Sequence, residues 1–249
     1  MSSKIRVTIW NEYRQDRDWP QIVQVYPQGI HTVLGNFLSG QEDIEVRYAT
    51  LDEPEHGLSQ AVLNDTDVLV WWGHIAHDEV RDEIVQRVYE RVVKEGMGMV
   101  FLHAAHESKL FKKLSGTESG RLKWREDAQR ERVWVIEPSH PIAQGIPECI
   151  VLEQEEMYGE RFDIPAPNEL IFISWFKGGE VFRSGFVFNR GLGKCFYFRP
   201  GHEAHPTYYN EHIQRVILNG IRYVNPKDRL ANMPDIRYGH IEIPPEPLD

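Results

Sequence analysis

The stretch that decides the fold runs from Asp67-Val-Leu-Val-Trp-Trp72 through the segment Asp78 to Glu95 and into Met97-Gly-Met-Val-Phe-Leu-His103. The first and last pieces are short and unbrokenly apolar, which suits strands buried on both faces. Between them Val80, Ile84, Val85, Val88 and Val92 recur at three- and four-residue spacing, with Arg, Asp and Glu on the other side, and Gly96 closes the pattern as a helix-ending glycine. Strand, helix, strand in this order implies a right-handed crossover and parallel pairing.

Working backwards, Ile5-Arg-Val-Thr-Ile-Trp10 and Ile44 to Tyr48 read as strands, and Ile30 to Leu38 as a helix. The first ~105 residues therefore spell β-α-β-(α)-β-α-β, a doubly wound, mostly parallel α/β sheet of flavodoxin-like type. Forwards, the pattern changes. Arg132 to Glu137, the short Ile150-Val-Leu152, and Leu170 to Ser174 look like strands, and Phe186 to Asn189 with Lys194 to Phe198 flank Arg190-Gly-Leu-Gly193 as an antiparallel hairpin. Ile213 to Val224 is an amphipathic helix. These elements predict one domain over 1–225, followed by a Pro-rich tail over 226–249 that lies on the surface or reaches a neighbouring subunit of a homo-oligomer.

Composition narrows the function. The 249 residues carry 28 Lys and Arg against 38 Asp and Glu, a net charge of −10. Nucleic-acid binding draws on a basic face, so that class is excluded. No apolar run approaches the ~20 residues of a membrane span. Two cysteines, Cys149 and Cys195, are too few for a disulfide framework. With no signal-like N-terminus, the expected location is cytoplasmic.

In an open parallel sheet, ligands bind beyond the carboxyl ends of the strands. The first strand delivers Asn11, Glu12 and Tyr13 there, the third Gly73, His74 and His77, and the fourth His103 and His106. The last hairpin strand delivers Arg199, Gly201, His202, Glu203 and His205. The acidic run Glu153 to Glu160 reads as following a short strand, with Glu155 or Glu156 turning into the cleft as metal ligand or general base. There is no phosphate-cradling glycine fingerprint after the first strand, no G-x-S-x-G elbow, and no cysteine at a strand-to-helix turn.

Four segments taken together, Trp71-Trp-Gly-His74, Gly96 to His106, Leu152 to Glu160 and Phe198-Arg-Pro-Gly-His-Glu203, resemble the trehalose-utilisation ThuA family, over about Ile5 to Val224. The resemblance implies the glutamine-amidotransferase-like variant of the flavodoxin sheet. It also implies catabolism of trehalose or related disaccharides through 3-keto sugars, beside a sugar dehydrogenase of the pathway. Amidotransferases carry a cysteine nucleophile after the fourth strand; here that turn is His103-Ala-Ala-His106, so amidotransferase activity does not carry over. Family members often carry a His-Glu pair after the first strand, where this chain has Gln15-Asp16.

The expected activity is metal-assisted conversion of a 3-keto-glycoside, a small-molecule sugar, by a lyase, hydrolase or isomerase; the rival is a non-catalytic sugar-binding or regulatory module. His103 and His202 are the expected ligands of a divalent metal, zinc first and manganese or iron next. Glu156 and His106 are the expected catalytic pair, and Asn11, Glu12, His74, Tyr158, Arg199 and Tyr208 the expected substrate contacts. Trp72, Tyr158 and Tyr208 offer faces for a sugar.

Overall fold

The structure, a computed structural model, describes residues 4–226 and position 247. The predicted tail, apart from 226 and 247, lies outside the described residues. The strands are β1 (Ile5–Asn11), β2 (Ile44–Thr50), β3 (Val68–Trp72), β4 (Gly98–Leu102), β5 (Lys123–Val135), β6 (Cys149–Gly159), β7 (Glu169–Phe176), β8 (Val181–Arg190) and β9 (Gly193–Phe198). The helices are α1 (Gln15–Asp18), α2 (Pro20–Val25), α3 (Ile30–Ser39), α4 (Gln60–Asn64), α5 (Asp82–Glu95), α6 (Lys109–Ser115) and α7 (Glu211–Val224).

Among the described residues the nine strands form one sheet, in the order β2-β1-β3-β4-β9-β8-β7-β5-β6. From β2 to β9 every pairing is parallel, and from β9 to β6 every pairing is antiparallel. The expectation of a mostly parallel sheet is thus corrected to a mixed one. The parallel half is doubly wound, because its strand faces divide between two cores. Val68, Val70 and Trp72 join Val100 and Leu102 in a core with residues of α3 and α7. Leu69 and Trp71 join Met99 and Phe101 in the other, with residues of α5 and α6. This alternation is the two-residue period of a strand read on both faces. The four buried residues of α5, Ile84, Val85, Val88 and Val92, are each worth roughly 1.5–3 kcal/mol of burial.

Several boundaries differ from the sequence reading. The helix expected from Asp78 begins at Asp82, because His77–Glu79 form a separate 3-10 turn and Val80 and Arg81 are extended. Gly96 closes it in the left-handed conformation, φ 79°. The larger correction concerns β6. The run after Ile150-Val-Leu152 is strand to Gly159, paired with β5 across bulges between Arg125 and Glu131. Its partner β5 begins at Lys123 rather than Arg132. The charged stretch Lys123 to Arg130 hides that strand, since half-exposed pairing leaves no apolar alternation to read.

Candidate functional site: a buried histidine–carboxylate centre

The centre forms where the parallel half meets the antiparallel half. β3 ends at Trp72, and Gly73 leads into His74. The Glu12 carboxylate, at the end of β1, accepts the N–H groups of Ile75 (2.8 Å) and Ala76 (3.0 Å) and so fixes the turn that presents His74. Burial pushes the Glu12 carboxyl above its usual range, against those backbone donors. Glu12 is therefore a clamp on the turn, and both of its oxygens are occupied.

His103 closes β4 at φ 52°, a left-handed conformation that costs a non-glycine residue of order 1–3 kcal/mol. Surrounding bonds hold it there. The Tyr197 hydroxyl donates to the His103 carbonyl (2.9 Å), as does His106 Nδ1 (3.3 Å). His106 stands behind the centre, edge-on to Tyr158, Phe162 and Tyr197, and burial pushes its imidazole down to about 4. His202 enters after β9 through Gly201, whose φ of 130° and lack of a side chain admit the Tyr208 hydroxyl, 2.0 Å from where a Cβ would stand.

Ligand-type atoms of His74, His103, Glu156 and His202 all lie within 4.8 Å of one another. His103 and His202 have ring centroids 5.3 Å apart, and Tyr158 stacks on His103 at 5.4 Å. The partners of each ring sort the tautomers. His103 Nδ1 faces the Arg199 carbonyl (3.1 Å) and must donate, which leaves a lone pair on Nε2. His74 Nδ1 faces Glu203 (2.9 Å) and the Gln15 side-chain amide oxygen (3.1 Å), so in the neutral ring the lone pair is again on Nε2. His202 differs. Its Nδ1 accepts the Ala204 N–H (3.1 Å), so the proton is on Nε2, with Glu126 at 3.5 Å and Glu203 at 3.7 Å. Glu156 Oε2 lies 3.2 Å from His103 Nε2, and both atoms are buried without a hydrogen-bond partner.

Electrostatics follow from burial and these partners. Burial disfavours the His74 imidazolium, but the Glu203 carboxylate outweighs it and holds His74 above the usual histidine range. Burial would raise Glu203; His74, His202 and His103 overcome it and bring the carboxyl down to about 2. His103 is held well below the usual range, first by burial and then by His202 and His74.

Beneath the centre lies a fully buried set of charges. Arg199 donates to Glu131 and to the Glu156 carbonyl and pairs ionically with Glu155 at 3.2 Å, between the rings of Tyr158 and Phe176. Glu155 accepts the Gly201 N–H (3.0 Å), the Thr207 hydroxyl (2.5 Å) and the Glu156 N–H (3.2 Å). Glu155 and Arg199 thus grip the peptide groups of Glu156 and the loop of His202. The two carboxylates divide in charge. Burial, the nearby Glu155 charge adding to it against Arg199, raises Glu131 to about 7, whereas Arg199 outweighs burial and keeps Glu155 low.

The structure brings His74, His103, Glu156, His202 and Tyr158 together, and it does not bring the other expected contacts to the cleft. Asn11 turns aside, donating to Asp16 (2.6 Å) and facing His31 Nδ1 (2.9 Å). Arg199 points down into its carboxylates, and Tyr208 and Trp72 are wholly buried, Trp72 donating to the Gly201 carbonyl (3.2 Å). The side chains of these three are committed to internal packing in the structure. Gln15 was not expected at the site, yet its amide donates to Glu203 at 2.5 Å. Glu203 was flagged only by its position after β9. No local signal pairs residues 188 apart.

These features define an α/β protein with a buried histidine–carboxylate centre at the carboxyl edge of its parallel strands. The chain belongs to the ThuA family, described as trehalose utilisation, whose model matches residues 6–224, and this ties it to that pathway. Among solved structures it is similar to a ThuA-like protein from Parabacteroides merdae, 16% identical, with a TM-score of 0.66 and 94% of each chain covered. A ThuA-like protein from Bacteroides uniformis is 18% identical, with a TM-score of 0.63 over 92% of this chain and 94% of that one. A cytoplasmic protein from Salmonella typhimurium is 12% identical, with a TM-score of 0.56 over 89% and 100%. At these identities the likeness speaks for the fold. No curated protein matches the chain in sequence. Among the described residues, no helix is long and apolar enough to cross a membrane.

Proposed function

We propose that the centre holds one divalent metal ion and converts a 3-keto-glycoside of the trehalose pathway, by elimination, hydrolysis or isomerisation. The observation that carries this reading is the His103–Glu156 contact. A lone pair on Nε2 faces a carboxylate oxygen at 3.2 Å, both buried and otherwise unpartnered. Two acceptors at that distance repel unless a proton or a cation stands between them. Burial, reinforced by His202 and His74, disfavours a proton on His103, and the convergence of ligand-type atoms of His74 and His202 on the same point is why we take a cation rather than a proton on Glu156. His74 Nε2, His103 Nε2 and Glu156 Oε2 form a two-histidine, one-carboxylate set that suits zinc, manganese or iron. Bound there, such an ion would polarise a ketone as a Lewis acid.

The chain's own groups supply the rest. Glu203 and Gln15 hold the His74 tautomer, and the Arg199 carbonyl holds that of His103. His202 Nε2–H is a donor for the oxyanion that develops on the ketone oxygen as the C2 proton, acidified by the C3 ketone, passes to the Glu156 oxygen that faces away from His103. In this reading Glu156 adds the role of ligand to that of the expected base, and His202 moves from ligand to donor. Incubation with 3-keto-trehalose in deuterated water, read by mass spectrometry, should give C2 exchange and a converted sugar, while trehalose itself stays untouched. Glu156→Gln sorts its role: metal lost means ligand, metal kept with exchange abolished means base. Metal-loaded protein that leaves the keto sugar unchanged would support a non-catalytic sugar-binding module instead.

A further inference from the structure

We infer that a groove remote from the centre is a second binding site, for a neutral sugar. The groove, about 530 Å³, lies between the α2–α3 connection, one face of α3 and the start of α7. That volume falls within the ~300–1,000 Å³ typical of small-molecule sites. Gln28 comes from the connection, Thr32, Asn36 and Phe37 from α3, and Tyr209 and Gln214 from the entry to α7. Thr32 and Asn36 are four residues apart and so share a helix face.

The lining selects the chemistry. None of its eight residues is charged, although 27% of the chain is Asp, Glu, Lys or Arg. A phosphate, carboxylate or ammonium ligand would be desolvated there without a counter-charge, which is costly. A wholly apolar ligand would lie against the amides of Gln28, Asn36 and Gln214 and the hydroxyls of Thr32 and Tyr209. A polyhydroxylated neutral ligand suits both limits, since amides offer donors and acceptors together. The aromatic platform is already built. Tyr209 donates its hydroxyl to the Val25 carbonyl (3.0 Å) and stacks one face on Tyr26, at 5.5 Å and 7°. Tyr209 remains 49% exposed. A ring so fixed presents its free face at little entropic cost, and the C–H face of a pyranose complements it.

The groove shares no residue with the histidine–carboxylate centre, and this inference does not rest on the reaction proposed there. The test is titration of the full-length protein with trehalose and with glucose, followed by saturation-transfer NMR. At least one of the two should bind wild type. Tyr209→Ala should weaken that binding about tenfold or more, Tyr209→Phe should keep it, and Glu156→Gln should bind as wild type does. No binding of either sugar to wild type overturns the proposal, as does binding unchanged in Tyr209→Ala. If Glu156→Gln abolishes binding and Tyr209→Ala spares it, the sugar sits in the centre. The groove proposal then fails while the proposed function stands; failure to convert the keto sugar leaves the groove result untouched.

Discussion

The two halves of the sheet contribute to the centre in opposite ways. The parallel half delivers imidazoles from turns, with His74 after β3, His103 closing β4, and His202 after β9, the strand where the two halves join. The antiparallel half delivers a carboxylate from within a strand, Glu156 on β6, beside bulges in the β5–β6 ladder. A turn residue can be aimed by local backbone bonds, as the Glu12 clamp aims His74. A mid-strand residue has its direction set by the pleat, so neighbours Glu155 and Glu156 point oppositely, one into the charged base and one into the centre. The comparison teaches that the imidazoles are aimed by turns after β3, β4 and β9, while Glu156 is held from within β6 and anchored by the buried Arg199 and its carboxylates beneath.

The sharpest way to break this picture is Arg199→Met. Removal strands Glu131 and Glu155 in a dry interior, and loss of one partner of a buried charge set costs ~3–5 kcal/mol. Urea unfolding should show that loss, and Glu131→Gln added to Arg199→Met should recover part of it. A change under about 1 kcal/mol would mean that the antiparallel half does not anchor the centre.

Glu203→Gln tests the turn side. It keeps the shape but removes the charge that fixes His74, and losing such an outer partner lowers metal affinity ~10–100-fold. Competition with a chromophoric chelator measures it. Far-UV circular dichroism should not change.

Acid brings a smaller, graded effect, also on the turn side. Burial pushes His77 down to about 3 and His106 to about 4, from an unfolded value near 6.5. Both stay neutral in the folded chain while the unfolded chain takes up protons. Their contribution is therefore complete above about pH 6.5 and is lost as pH falls towards 4 and then 3. Each group adds at most about 1.4 kcal/mol per pH unit across that window. The urea midpoint should fall between pH 7 and pH 5, and His77→Asn should flatten the fall by one group's slope. An unchanged slope would show that His77 is not held neutral.

The least effect is expected on the outer face of the antiparallel half. Arg130 and Glu153 pair at 2.6 Å but are 45% and 70% exposed. Arg130→Ala should change stability by no more than ~1 kcal/mol.

The same contrast governs what could be read from the sequence. The histidines were legible because each follows a short apolar strand, a position that places it at the ligand edge whatever the distant packing. The hairpin around Arg190-Gly-Leu-Gly193 was legible from its glycines. β5 was half hidden, since five of the eight residues from Lys123 to Arg130 are charged and its pairing leaves the stretch half-exposed. The burial of Arg199 was not legible, because its partners Glu131 and Glu155 lie 68 and 44 residues away in the chain, and an arginine after a strand reads as a substrate contact. The Gln15–Glu203 bond was beyond reach for the same reason. The tautomer of His202 depends on one backbone N–H, that of Ala204, which is set by the folded loop and not by residue type.

The central claim is that a cation stands between His103 and Glu156, and metal analysis of untagged protein purified without chelator tests it most directly. The account expects about one divalent ion per chain, lost in both His103→Ala and Glu156→Gln with the circular-dichroism spectrum preserved. Native protein free of stoichiometric metal, able neither to take up zinc nor to take up manganese or iron, would contradict it.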